Sequence, residues 1–223
     1  MKYRRGRFTS GRPRAIVKTE WSVKKMVKTI AVFGASSGSM DQAYYDAAFE
    51  MGVRIARSGC AMLFGGGDTG VMGAAARGAH SEGGRVIGVI PEALNLPKIA
   101  YPECDELIVT PGMRERMERM CALSDGFCVL PGGFGTLYEL FEILTLNQLR
   151  YILKPVAILN TRGYYEKMAG LFEVMYREHC ARELCRRLYS IVDTPAQAMD
   201  VMTGWEKPEL SRWLTDVPEG ELK

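Results

Sequence analysis

Short, almost wholly apolar runs alternate along this chain with longer stretches whose apolar positions recur every three or four residues. TIAVF at 29–33 reads as a strand that runs into a loop of small residues, GASSG at 34–38. The spacing then predicts a helix from about 41 to 58, stopped by Gly59. The same unit follows again: CAMLF at 60–64, the bare loop GGGDTG at 65–70, and the helix VMGAAARGAHSEG. Further strands are expected at RVIGVIP, ELIVT, GFCVL, PVAILN and LYSIVDT. Further helices are expected over about 112–123, 136–150 and 164–179, with a proline-initiated one from 195. Strands that are apolar throughout, rather than alternating, belong to sheets covered by helices on both faces. The fold expected is therefore α/β, a doubly wound, Rossmann-like parallel sheet. Residues 91–105, with three prolines and no period, read as a loop over one edge.

Composition refines this picture in two places. An apolar share of 47% over 223 residues is ample for one buried core, and the pattern divides into a single nucleotide-binding catalytic domain at 29–205 flanked by 1–28 and a tail at 206–223. The charge is uneven: residues 1–28 hold ten Lys/Arg against one Glu, while the rest of the chain carries a balance of −6. A slightly acidic body argues against a nucleic-acid partner, which requires a basic face. The basic extension has no apolar signal segment. Its composition fits an organelle transit peptide, an electrostatic arm, a solvated extension or an arm on a partner subunit. Six cysteines without a C-x-x-C pair point to a reducing, cytoplasmic setting and to no structural metal. No apolar run reaches membrane-spanning length.

The candidate chemistry lies in the loops that follow the strands, where a doubly wound sheet gathers its ligand. GASSG, GGGDTG and PGGFGT (131–136) are all nearly free of side chains. Such loops let backbone N–H groups approach an anion, and the helix that follows adds about half a positive charge. A phosphate is the expected guest, and the candidates to bind it are Ser36, Gly66, Gly67, Gly132, Gly133, Gly135 and Thr136. There is no G-x-x-x-x-G-K-[ST] loop and, after the first strand, no G-x-G-x-x-G with its partnering acid, which favours a monophosphate over a triphosphate or dinucleotide. Thr136 and Glu139 have the T-x-x-E spacing of a helix capping box. A carboxylate so near a phosphate cradle is also repelled by the substrate, so a catalytic role stands beside the capping one. Glu142, one turn on, is expected to steady the site or bond a neighbouring backbone. In MRERMERM, Met113, Met117 and Met120 share a helix face with Arg116; methionines at this spacing are more often packing residues than base contacts, but Met113 is a candidate to bind substrate, and the arginine points with them toward the strand ends.

GGGDTGVMGAAARGA, MRERM, the Ser-Asp before the strand at 126 and LPGGFGTLYELFE together resemble the LOG family, the cytokinin riboside 5′-monophosphate phosphoribohydrolases once labelled lysine decarboxylases. The resemblance spans roughly 29–175. It implies a Rossmann-like homodimer or higher homo-oligomer that needs no cofactor and splits a nucleoside 5′-monophosphate into free base and ribose 5-phosphate. Its essential pair falls on Arg116 and Glu139, expected to reach the sugar from opposite sides. Phosphate and ribose binding falls on Gly132, Gly133, Gly135 and Thr136. Three positions depart from the family pattern: Met117 replaces a lysine, Tyr138 a glutamate, and Lys98 an acid in the 91–105 loop. Two alternatives differ in kind. One is a carrier like the related proteins that bind molybdenum cofactor without turnover. The other is a pyridoxal-phosphate decarboxylase, which requires a Schiff-base lysine that none of the three loops contains.

Overall fold

A computed structural model of the chain describes residues 27–206, so the basic extension up to 26 and the tail from 207 lie outside the described residues. Seven strands, β1 (Thr29–Phe33), β2 (Ala61–Phe64), β3 (Val86–Pro91), β4 (Glu106–Thr110), β5 (Gly126–Val129), β6 (Val156–Leu159) and β7 (Ser190–Val192), form one sheet. Every pairing is parallel and the order is β4-β3-β2-β1-β5-β6-β7. The chain thus winds outward from β1 to β4, crosses back to place β5 beside β1, and winds outward the other way. The loops after β1 and β5 diverge at that reversal and open a crevice at the strand ends, which is where the fold places ligands.

Successive side chains of a strand face opposite ways, and β1 shows both faces buried. Ile30 and Val32 pack with α1 (Gln42–Arg57), α2 (Gly70–Ser81) and α6 (Pro195–Gly204). Ala31 and Phe33 pack with α3 (Met113–Leu123), α4 (Phe134–Gln148) and α5 (Glu166–Arg177). The two helical layers account for the unbroken apolar strands. β4 departs from that expectation: it has a neighbour on one side, and Glu106, Leu107 and Val109 are exposed.

Helix ends follow the sequence signals to within two residues: α5 is two residues shorter at each end than the expected 164–179, and the start of α4 is the instructive case. Asp41 caps α1 by accepting from Ala43 N at 3.0 Å, and Thr194 with Gln197 forms a complete capping box ahead of Pro195. α4 instead begins at Phe134 with Gly133 as its N-cap, two residues before the expected start. The 91–105 segment also does more than cross an edge. It folds back on the second glycine loop, where Asp68 N donates to Ile99 O at 2.9 Å and Tyr101 N to Gly66 O at 2.8 Å. Among the described residues no helix is long and apolar enough to cross a membrane.

Candidate active site

A cavity of about 500 Å³ opens at the reversal point, within the range of small-molecule sites. Its floor comes from all three bare loops: Ser36 from the first, Gly65 and Gly67 from the second, and Gly133, Gly135 and Thr136 from the third. α3 and α4 supply Met113, Arg116 and Glu139 to the same wall. The expected residues therefore meet, with two exceptions. Gly66 and Gly132 do not line the cavity. Gly66 has φ +76°, and a Cβ there would lie 3.1 Å from Ile90, so this glycine serves the turn and the close packing behind it. A Cβ on Gly132 would overlap Thr136 and come within 2.9 Å of Ala35 N, so this glycine lets the loop close beneath the site without facing it.

Arg116 and Glu139 are the buried charges of the cavity, with 6% and 5% exposure. Arg116 Nη1 lies 2.8 Å from Glu139 Oε1, and Arg116 Nε donates to Val89 O at 3.1 Å. This corrects the expectation that the two approach a ligand from opposite sides: they form one hydrogen-bonded unit on one wall. Glu139 is equally not part of a capping box, because α4 starts earlier and has no side-chain cap. Successive glycines at 132 and 133 allow the chain to turn into the helix before the threonine, which places Thr136 inside the first turn. Thr136 is buried there at 3% exposure. Burial pushes the Glu139 carboxyl above its ordinary range, against the opposing pull of the Arg116 guanidinium.

Residues the sequence did not single out complete the site. A Cβ on Gly65 would overlap Arg116 Nη2 and stand 3.3 Å from Met72 Sδ, so the bare backbone at 65 is what admits the guanidinium. Its place in a run of three glycines was the available signal, but one run does not say which member faces an arginine. Met72, Ile90, Leu94 and Ile99 form an apolar wall, two of them from the segment that looked featureless. Phe134 stands at the rim with 93% of its surface exposed.

The three departures from the family pattern lie off the cavity lining. Met117 is fully buried in the core under α3. Lys98 is exposed in a left-handed conformation, φ 69°. Tyr138 donates to Glu142, whose carboxylate holds the phenol up at about 12. Glu142 itself is outside the cavity lining and its Oε2 is buried without a hydrogen-bond partner; its charge acts on Tyr138 and adds to the upward push on Glu139. Among the described residues there is no group of His, Cys, Asp and Glu able to hold a metal ion.

The chain is similar to several known proteins. The family model described as "Possible lysine decarboxylase" matches residues 72–202. The chain is 35% identical to the cytokinin riboside 5′-monophosphate phosphoribohydrolase LOG of Oryza sativa subsp. japonica, over 75% of this chain and 69% of that one. It is 33% identical to LOG2 of Arabidopsis thaliana, a protein of the same description, over 77% and 80% of the two chains. Among solved structures, the molybdenum cofactor binding protein of Rippkaea orientalis superposes with a TM-score of 0.62 at 25% identity, covering 79% of this chain and 96% of that one.

Proposed function

This chain belongs to the LOG family, and from that membership we propose that it is an enzyme hydrolysing the N-glycosidic bond of a nucleoside 5′-monophosphate, of the cytokinin riboside or AMP type. The products are the free base and ribose 5-phosphate. The observation that carries the reading is the buried Arg116–Glu139 pair facing the same cavity as the uncapped start of α4. In this reading the phosphate sits against Gly133, Gly135 and the Thr136 hydroxyl, where helix-end N–H groups and the dipole favour an anion. The apolar wall of Met72, Ile90 and Ile99 takes the base.

Breaking the ribosyl N–C bond leaves positive charge on the sugar ring and sends the bonding electron pair out with the base. Glu139, ionised, stabilises that ring and orients the water whose oxygen bonds to C1′; the proton the water releases is balanced by the one the base takes up. Arg116 holds Glu139 in place, and its remaining N–H donors neutralise negative charge on the base or phosphate. The likeness to the Rippkaea orientalis protein supports a second reading, a carrier for molybdenum cofactor. A desolvated carboxylate beside an anionic ligand weakens binding, which favours turnover over carriage.

The same proposal includes a homodimer, since α4 and its C-cap expose Phe134, Tyr138, Phe141 and Leu149, and a cytoplasmic setting, since all six cysteines are free thiols. Incubating the purified protein with a panel of nucleoside monophosphates and separating the products tests the reading. Free base and ribose 5-phosphate in equal amounts are expected. Intact nucleotide throughout, with retention of molybdenum cofactor, favours the carrier.

A further inference from the structure

The third glycine loop is held from behind by a row of three hydrogen bonds to consecutive carbonyls. Leu130 O accepts from the Tyr165 hydroxyl at 2.8 Å, Pro131 O from Ala35 N at 3.1 Å, and Gly132 O from the Tyr164 hydroxyl at 2.9 Å. The two tyrosines come from the turn between β6 and α5. That turn is itself braced: Tyr165 N donates to Asn160 Oδ1 at 2.7 Å, Gly163 N to Asn160 O at 2.9 Å, and Arg162 pairs with Asp41. The Tyr164 ring meets Tyr165 edge-on at 4.9 Å and Tyr44 at 5.8 Å, which fixes where its hydroxyl points.

The last of these bonds has a consequence for the cavity. In a trans peptide the C=O and N–H of the linked residues point in opposite directions, and the described residues contain no cis bond. The 132–133 peptide lies between two glycines, so no Cβ resists its rotation. Anchoring Gly132 O outward turns the Gly133 N–H inward, toward the cavity that Gly133 lines. A flipped plane would instead present a carbonyl oxygen to an anion.

We propose that Tyr164 is a positioning residue for phosphate recognition, setting the 132–133 peptide plane so that the Gly133 amide faces the ligand. This rests on the phosphoribohydrolase reading above. Tyr165 provides the internal contrast, because its carbonyl partner belongs to the Leu130–Pro131 peptide, which has no N–H to aim.

The experiment compares wild type, Tyr164→Phe and Tyr165→Phe by steady-state hydrolysis of AMP or a cytokinin riboside monophosphate, by calorimetric binding of ribose 5-phosphate, and by thermal unfolding. For Tyr164→Phe, KM and the ribose 5-phosphate Kd are expected to rise about five- to tenfold, with kcat within about twofold and little change in Tm. Tyr165→Phe, buried at 2% exposure, is expected to lower Tm while leaving both constants near wild type. Unchanged constants in Tyr164→Phe, or equal changes in both variants, overturn the positioning role. A wild-type protein that neither hydrolyses the nucleotides nor binds ribose 5-phosphate overturns the functional reading itself, a failure visible before any variant is compared.

Discussion

Arg116 and Glu139 form a buried ion pair at 2.8 Å, and their variants should separate catalysis from stability. Glu139→Gln is expected to reduce turnover by about 100-fold or more while the protein still folds, as measured by steady-state rates and circular dichroism. Arg116→Ala strands a buried carboxylate and should cost about 3–5 kcal/mol near neutral pH, measured by denaturant unfolding. That deficit should shrink in acid, where a protonated Glu139 no longer needs its partner. The raised Glu139 pKa fixes the sign of the pH effect. A carboxyl whose folded pKa lies above its unfolded value, about 4.3, contributes stability that is present below that value and lost as pH rises through the folded one. Relative to Glu139→Gln, the wild type should therefore lose stability as pH climbs out of the ordinary carboxylate range, while its activity rises over the same interval as the carboxylate ionises. Gly65→Ala is the steric counterpart: its methyl would displace Arg116 Nη2, so hydrolysis should fall at least tenfold with the fold retained. Residue types were legible here and their partners were not. M-R-E-R and T-x-x-E name the groups, but whether Glu139 caps a helix or pairs with Arg116 depends on where α4 starts and how α3 lies beside it.

Helices α1 and α2 cross so closely that Gly52 faces the backbone of α2, and a Cβ there would come within 2.7 Å of Ala79 N and overlap Ala75 O. Backbone cannot yield as a side chain can, so Gly52→Ala should lower stability by about 1–3 kcal/mol despite the better helix propensity of alanine, seen as a drop in Tm. The elements themselves could be read from the chain to within a residue or two, because apolar period and end signals such as Asp41, Gly59 and Pro195 act locally. α4 was placed two residues late for a local reason of another kind: Thr136 is a good cap on paper, but two preceding glycines permit an earlier turn. The place of the 91–105 segment at the cavity is not legible in its sequence, since beside its local turns it is tied down by long-range hydrogen bonds to Gly66 and Asp68.

In the whole molecule, the exposed face of α4 gives a prediction about assembly. The protein should run as a dimer in sedimentation equilibrium, and Leu149→Asp, at the C-cap of α4 and 42% exposed, should shift it toward monomer without unfolding it. Monomeric wild type at micromolar concentration would contradict the proposed homodimer. The doubly wound sheet was readable in advance because unbroken apolar strands separated by amphipathic helices have few other solutions. The run of bases and acids, the bare loops and the strand pattern are all local properties, carried by covalent order and short-range preference. The strand order that sets the β1 and β5 loops side by side brings together groups far apart along the chain, as do the contact of Arg116 with Gly65 and Glu139 and the reach of Tyr164 to Gly132. Those pairings follow from packing two helical layers onto one sheet, a long-range compromise among burial, sterics and hydrogen bonding that no short stretch of residues contains.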